Sequence, residues 1–161
     1  MNTAALARDH PEGTRLSHRV HSSGLETFGL VAAIRGFCQE LAEQRDVQID
    51  FTESGVPDTL PQAVSLCLFR VLQEGLNNAV KHSGARQFEA RLERVSDELH
   101  LTIRDRGVGF DPGIAMYNEG IGLISMRERV NLVKGTMSLT SKPQGGTEIT
   151  GCVPVSVEQS A

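Results

Sequence analysis

Phe69-Arg-Val-Leu-Gln-Glu-Gly-Leu-Asn-Asn-Ala-Val-Lys-His82 is the stretch from which the fold of this chain can be built outward. Leu68, Leu72, Leu76 and Ala79 recur at helical spacing and supply an apolar face for a sheet. Glu74, Asn78, Lys81 and His82 stand at offsets of zero, four, seven and eight, which share another face of the same helix. A carboxylate, an amide, an ammonium and an imidazole grouped in this way suit a metal-bound polyphosphate. Magnesium takes oxygen ligands and keeps several waters, so one Asn carbonyl plus phosphate oxygens is a sufficient set. Lys81 can neutralise phosphate charge, and Glu74 can orient or deprotonate a nucleophile. Taken alone, such a face is more often a solvated helix surface than a site. Gly75 costs roughly 1 kcal/mol against alanine in mid-helix, which points to close packing or backbone approach there.

The elements around this helix follow from their patterning. Pro61 suits its start, and Ser83-Gly84 its end. Upstream, Leu16 to about Gln44 has helical periodicity through Leu25, Phe28, Leu30, Val31, Ile34, Phe37, Cys38 and Leu41. Ser22, Ser23 and Gly24 predict a break before Leu25. Val47–Thr52 alternates as a strand does. Downstream, Gln87–Val95 and Glu98–Arg104 predict a hairpin with its turn at Ser96-Asp97. A glycine-rich loop spans Asp105 to Gly122, then a helix near Ile121–Val133, then strands near Thr136–Ser141 and Thr147–Val155 around the turn Lys142–Gly146. The sum is α+β: a two-layer sandwich, with a mixed, mostly antiparallel sheet covered on one face by helices.

Composition bounds the function. The 161 residues carry a net charge of −4, so there is no basic footprint for direct nucleic-acid binding. No apolar run is long enough for a membrane span, so membrane attachment is expected only through regions outside this sequence. The three cysteines are odd in number and widely scattered, which fits reduced thiols in a cytoplasmic protein better than a disulfide or zinc site.

Three glycine motifs follow the helix in order. Asp105-Arg-Gly-Val-Gly109 comes directly after a strand, so Asp105 sits at a strand end, where its carboxylate can accept a hydrogen bond from an exocyclic amine. Gly107 and Gly109 allow a sharp turn and close approach to a ligand. Gly120-Ile-Gly122 opens a helix, whose free N–H groups and dipole favour phosphate. Gly145-Gly146-Thr147 turns into the last strand. Each alone is compatible with ordinary turns and caps; the order is the informative feature.

That ordered set resembles the ATP-binding catalytic domain of sensor histidine kinases, within the ATPase superfamily (Bergerat-type fold) shared with gyrase, a heat-shock chaperone and mismatch-repair ATPases. Phe28–Ala33, Leu72–Ala79 and Gly122–Arg129 resemble most the subgroup partnered with helix-turn-helix response regulators. The resemblance implies binding of ATP and Mg2+, with Asn78 as the metal ligand and Glu74 as the acidic catalytic residue. It places Lys81 and His82 near the phosphates, Asp105 on the adenine amino group with Gly107 and Gly109 beside it, Gly120 and Gly122 along the phosphates, and Thr147 at the adenine pocket. The lid would be about Phe110–Glu119. The implied domains are a lead-in and dimerisation-helix remnant at residues 1–22, the ATP-binding domain at 23–156 and a tail at 157–161.

The phosphate-accepting histidine of such kinases is not evident. His82 and His100 belong to the ATP domain, and His10, His18 and His21 lack the adjacent acidic residue that would remove a proton. The expectation is therefore a catalytic domain that donates the γ-phosphate to a dimerisation helix outside this chain, in a full-length protein that could be a homodimer. A cognate response regulator is the implied partner. The same motifs would also serve a stand-alone, anti-sigma-like module that uses ATP for partner switching.

Overall fold

The Gly75 helix packs its apolar face on a five-stranded sheet in the computed structural model, which describes residues 24–109 and 120–156. The elements are α1 (Leu30–Arg45), β1 (Gln48–Ser54), α2 (Gln62–His82), β2 (Gln87–Val95), β3 (Glu98–Asp105), α3 (Gly120–Leu132), β4 (Thr136–Ser141) and β5 (Thr147–Pro154). Sheet order is β1-β2-β3-β5-β4. Only β1 and β2 run parallel; the other pairs are antiparallel. This is the expected α+β architecture, with the helices on one face.

Alternation along the strands decides which face is covered. Phe88, Ala90 and Leu92 of β2 and Leu99, Leu101 and Ile103 of β3 are buried, and the register pairs Ala90 with Ile103 and Leu92 with Leu101. Ser96, with φ 58, turns the hairpin as expected. On the helical layer, Leu68, Leu72 and Leu76 of α2 are fully buried, and Phe69 meets Phe37 of α1 edge-on at 6.2 Å between ring centroids. Gly75 is a packing glycine. A Cβ there would stand 2.5 Å from Ile103 Cδ1, so its absence lets α2 settle onto β3.

The expected break at Ser22, Ser23 and Gly24 falls on the edge of the described residues and mostly outside them; a further interruption, not expected, lies within them. Residues 24–28 are helical, and the interruption falls at Gly29, whose φ of 88 suits glycine. That turn changes the phase of the helix, and Phe28, although part of the apolar pattern, is left 75% exposed. The proposed lid at 110–119, the lead-in at 1–22 and the tail at 157–161 lie outside the described residues.

Candidate functional site

The site begins where α3 crosses α2. The Cys67 thiol reaches the Arg129 carbonyl oxygen at 3.5 Å, and about two to three turns further along α2, Glu74 and Asn78 face Gly122. The two helices therefore run in opposite directions, and the first turn of α3 lies over the acidic residue and the amide. A Cβ on Gly122 would be 2.6 Å from Glu74 Oε1 and 3.2 Å from Asn78 Nδ2. Arg127 fixes the other side of α3 by donating to the Met137 carbonyl oxygen of β4 at 3.1 Å. Glu74 and Asn78 are half-buried, whereas Lys81 and His82 are exposed at the end of α2.

The second part is built on strand ends. Register pairs Asp105 with Thr147, and Thr147 with Ser141, so three side chains line one face of β3, β5 and β4. Asp105 is buried, and its Oδ1 accepts the Gly107 N–H at 2.8 Å. Burial raises the carboxyl above its ordinary range, while backbone hydrogen bonds from Gly107 and Thr147 pull it back down.

Glycines allow the loops to close on this row. Gly107 lies against the Ser83 carbonyl oxygen, which also accepts the Val108 N–H at 2.8 Å; a side chain at 107 would strike it. Gly109, with φ 63, is pressed against the Lys142 carbonyl, and Gln144 N donates to the Val108 carbonyl. Gly146, with φ 80, crosses the Asp105 carbonyl. The Asp105 loop is thereby clamped between the end of α2 and the β4–β5 turn.

The structure thus forms two groups from the expected residues: Glu74, Asn78 and Gly122 between the helices, and Asp105, Gly107 and Thr147 at the strand ends. Gly120 opens α3. Two residues had no motif to mark them. Ser83 anchors the loop, and Ser141 bonds both Gly146 O, at 3.1 Å, and Thr147 Oγ1, at 2.8 Å. Pairing the two strands around the Lys142–Gly146 turn would have put Ser141 opposite Thr147; the residue type gave no signal. Cys38 and Cys67 are buried thiols, and Cys152 is half-buried. Burial pushes Cys38 up to about 12 and Cys67 up to about 11, and no group of three or more metal-ligating His, Cys, Asp or Glu occurs among the described residues. No helix among those residues is long and apolar enough to cross a membrane.

Residues 63–157 match the family of histidine kinase-, DNA gyrase B-, and HSP90-like ATPases. The chain is 31% identical over 149 residues to the signal transduction histidine-protein kinase/phosphatase DegS of Brevibacillus brevis, covering 92% of this chain and 38% of that protein. It is 33% identical over 148 residues to the sensor histidine kinase MctS of Rhizobium johnstonii, covering 90% and 32%. The chain therefore spans well under half the length of these relatives. The fold matches the blue-light activated histidine kinase of Erythrobacter litoralis EL346 with a TM-score of 0.74 at 20% identity, over 90% of this chain and 50% of that one. It matches the Acinetobacter baumannii histidine kinase AdeS with a TM-score of 0.61 at 18% identity, over 87% and 76%. This chain belongs to the family of histidine kinase-, DNA gyrase B-, and HSP90-like ATPases, and the two relatives named above are histidine kinases.

Proposed function

We infer that the chain binds Mg-ATP as the catalytic domain of a two-component sensor histidine kinase and donates the γ-phosphate to a histidine on a dimerisation helix. The observation that carries this is the seating of Gly122 against Glu74 and Asn78. A close approach that a single Cβ would block brings the first turn of α3, whose N–H groups have no acceptor within the helix itself, over one carboxylate and one amide.

The donor set fits a magnesium nucleotide. A magnesium ion that arrives with a nucleotide is held mainly by phosphate oxygens and water, so one amide oxygen from the protein suffices. Asn78 would hold the ion through its amide oxygen, and magnesium when bound would offset the charge of the phosphates. Glu74 would orient the incoming imidazole or accept its proton. Lys81 and His82 would approach the phosphates from the exposed end of α2, with Gly120 and Gly122 admitting the backbone alongside. Asp105 would accept from an adenine amino group, with Gly107 and Gly109 shaping the loop and Thr147 closing the pocket. A response regulator is the partner to which the phosphate would pass.

Labelled ATP, Mg2+ and a candidate acceptor helix provide the test. Phosphate should appear on the helix, and Asn78→Ala should weaken Mg-ATP binding. Unchanged affinity in that variant would overturn the metal assignment, and binding without transfer would leave a nucleotide-binding module only.

A further inference from the structure

Ser141 is a buried hydroxyl with 7% of its surface exposed, at the end of β4. It lies 3.1 Å from the Gly146 carbonyl oxygen and 2.8 Å from Thr147 Oγ1. A hydroxyl has one proton to donate, and a carbonyl can only accept. For both contacts to be hydrogen bonds, Ser141 must donate to Gly146, and Thr147 must donate to Ser141. The proton of Thr147 is then committed away from Asp105, and only its lone pairs remain for a ligand.

The same row of the sheet carries Asp105 opposite Thr147. Its carboxylate accepts backbone N–H groups from Gly107 and Thr147 and, when ionised, offers a ligand only acceptor oxygens. The polar wall of this corner is thus uniform in sense. It can receive hydrogen bonds, and the hydroxyl protons of Ser141 and Thr147 are both already given within the row.

We propose that Ser141 is a specificity-determining positioning residue, which orders the Thr147 hydroxyl as an acceptor and makes the pocket read a purine with a 6-amino group. The proposal rests on the nucleotide reading above, which puts the base against Asp105 and Thr147. At the 6-position, which this reading sets against Asp105 and Thr147, a 6-oxo purine would put an acceptor against acceptors. A Thr147 hydroxyl free to rotate could relieve that mismatch by donating to the 6-oxo group; Ser141 removes this option.

Mg-ATP and Mg-ITP, which differ at the 6-position of the base and in the N1–H that accompanies the 6-oxo group, are the probes. Their affinities would be measured by calorimetry on the full chain, for wild type, Ser141→Ala, Thr147→Val and the double variant. In Ser141→Ala the Gly146 carbonyl keeps the Lys142 N–H at 3.4 Å, so the turn retains a donor. The ATP-to-ITP preference should fall about tenfold in Ser141→Ala, mainly through tighter ITP binding. It should change no further when Ser141→Ala is added to Thr147→Val, because the effect passes through that hydroxyl. Ser141→Thr, which keeps the hydroxyl, should restore the preference. A folded Ser141→Ala protein with the wild-type preference, or additive effects in the double variant, overturns the proposal. If Ser141→Ala does not fold, Ser141→Cys, close in size but with a weakly bonding thiol, carries the same expectation. Failure of the underlying nucleotide reading has a separate signature: wild type binds neither nucleotide, or Asn78→Ala binds Mg-ATP as wild type does.

Discussion

Gly122 of α3 rests against Glu74 of α2 so closely that a Cβ on the glycine would stand 2.6 Å from the Glu74 carboxylate oxygen. The obstructing atom is the end of a flexible side chain, so an alanine at this position displaces Glu74 rather than the backbone. Asn78, 3.2 Å away on the same side, would be disturbed with it.

Gly122→Ala is therefore expected to fold with a melting temperature within a few degrees of wild type and to lose Mg-ATP affinity about tenfold or more. Thermal denaturation and nucleotide titration on the same preparation check both halves. A variant that melts normally and binds normally would remove Gly122 from the site.

How much of this could be seen in the sequence varied with the kind of information needed. The β2–β3 hairpin was legible because alternation and a two-residue turn fix its register locally. The face of α2 was legible because Leu68, Leu72 and Leu76 obey a helical period. The parallel pairing of β1 with β2 was not, since alternation marks a strand but gives no direction. The interruption at Gly29 was not legible either, because one glycine among apolar residues carries a weak turn signal. Asp105 stood out by its place between a strand and two glycines. Ser141 did not, because its importance lies in a cross-strand neighbour and one shared proton.

The contact of Gly107 with Ser83 has the opposite character to that of Gly122 with Glu74. A Cβ at 107 would meet the Ser83 backbone carbonyl and lie 2.6 Å from the Ser83 Cβ, and neither can swing aside. That carbonyl also holds Val108 N–H. Gly107→Ala should lower stability by about 1–3 kcal/mol, as overpacking does, and lose nucleotide binding together with the fold. Urea titration gives the stability. An unchanged midpoint would show that the loop can lift from α2 at no cost.

Asp105 makes stability depend on pH and, on the proposed nucleotide reading, affinity as well. Burial holds its carboxyl above the ordinary range, so the folded chain binds this proton more tightly than the unfolded one. The stabilising contribution is full below the ordinary carboxylate range and is lost as pH rises through the raised value. At neutral pH the folded state thus carries a buried charge at a cost. Asp105→Asn keeps an acceptor for the Gly107 N–H and removes that charge, so it should raise the melting temperature by ~2–4 °C, the change for about 1 kcal/mol in a domain of this size. The gain should shrink as the pH falls into the ordinary carboxylate range, while Mg-ATP binding at neutral pH weakens. Melting curves from pH 4 to 8 decide the sign; a variant less stable than wild type at pH 7 would contradict it.

Two helical glycines separate propensity from packing. Gly36 in α1 is exposed with open space where a Cβ would go, so Gly36→Ala should stabilise by about 0.5–1 kcal/mol through helix propensity. Gly75 in α2 would gain the same propensity, but its Cβ would lie 2.5 Å from Ile103 Cδ1 and 3.9 Å from Ile149 Cδ1. Helix and sheet are packed face to face there, so Gly75→Ala should be destabilising by ~1–3 kcal/mol. Ile103→Val deletes the obstructing methyl and alone should cost about 0.5–1.5 kcal/mol. In the double variant the new methyl occupies the space the old one left, so its loss should be smaller than the sum of the two single losses by about 1 kcal/mol or more. Denaturant unfolding of the four proteins measures that coupling. Strict additivity would mean that the gap between α2 and β3 is set by something other than Gly75 and Ile103.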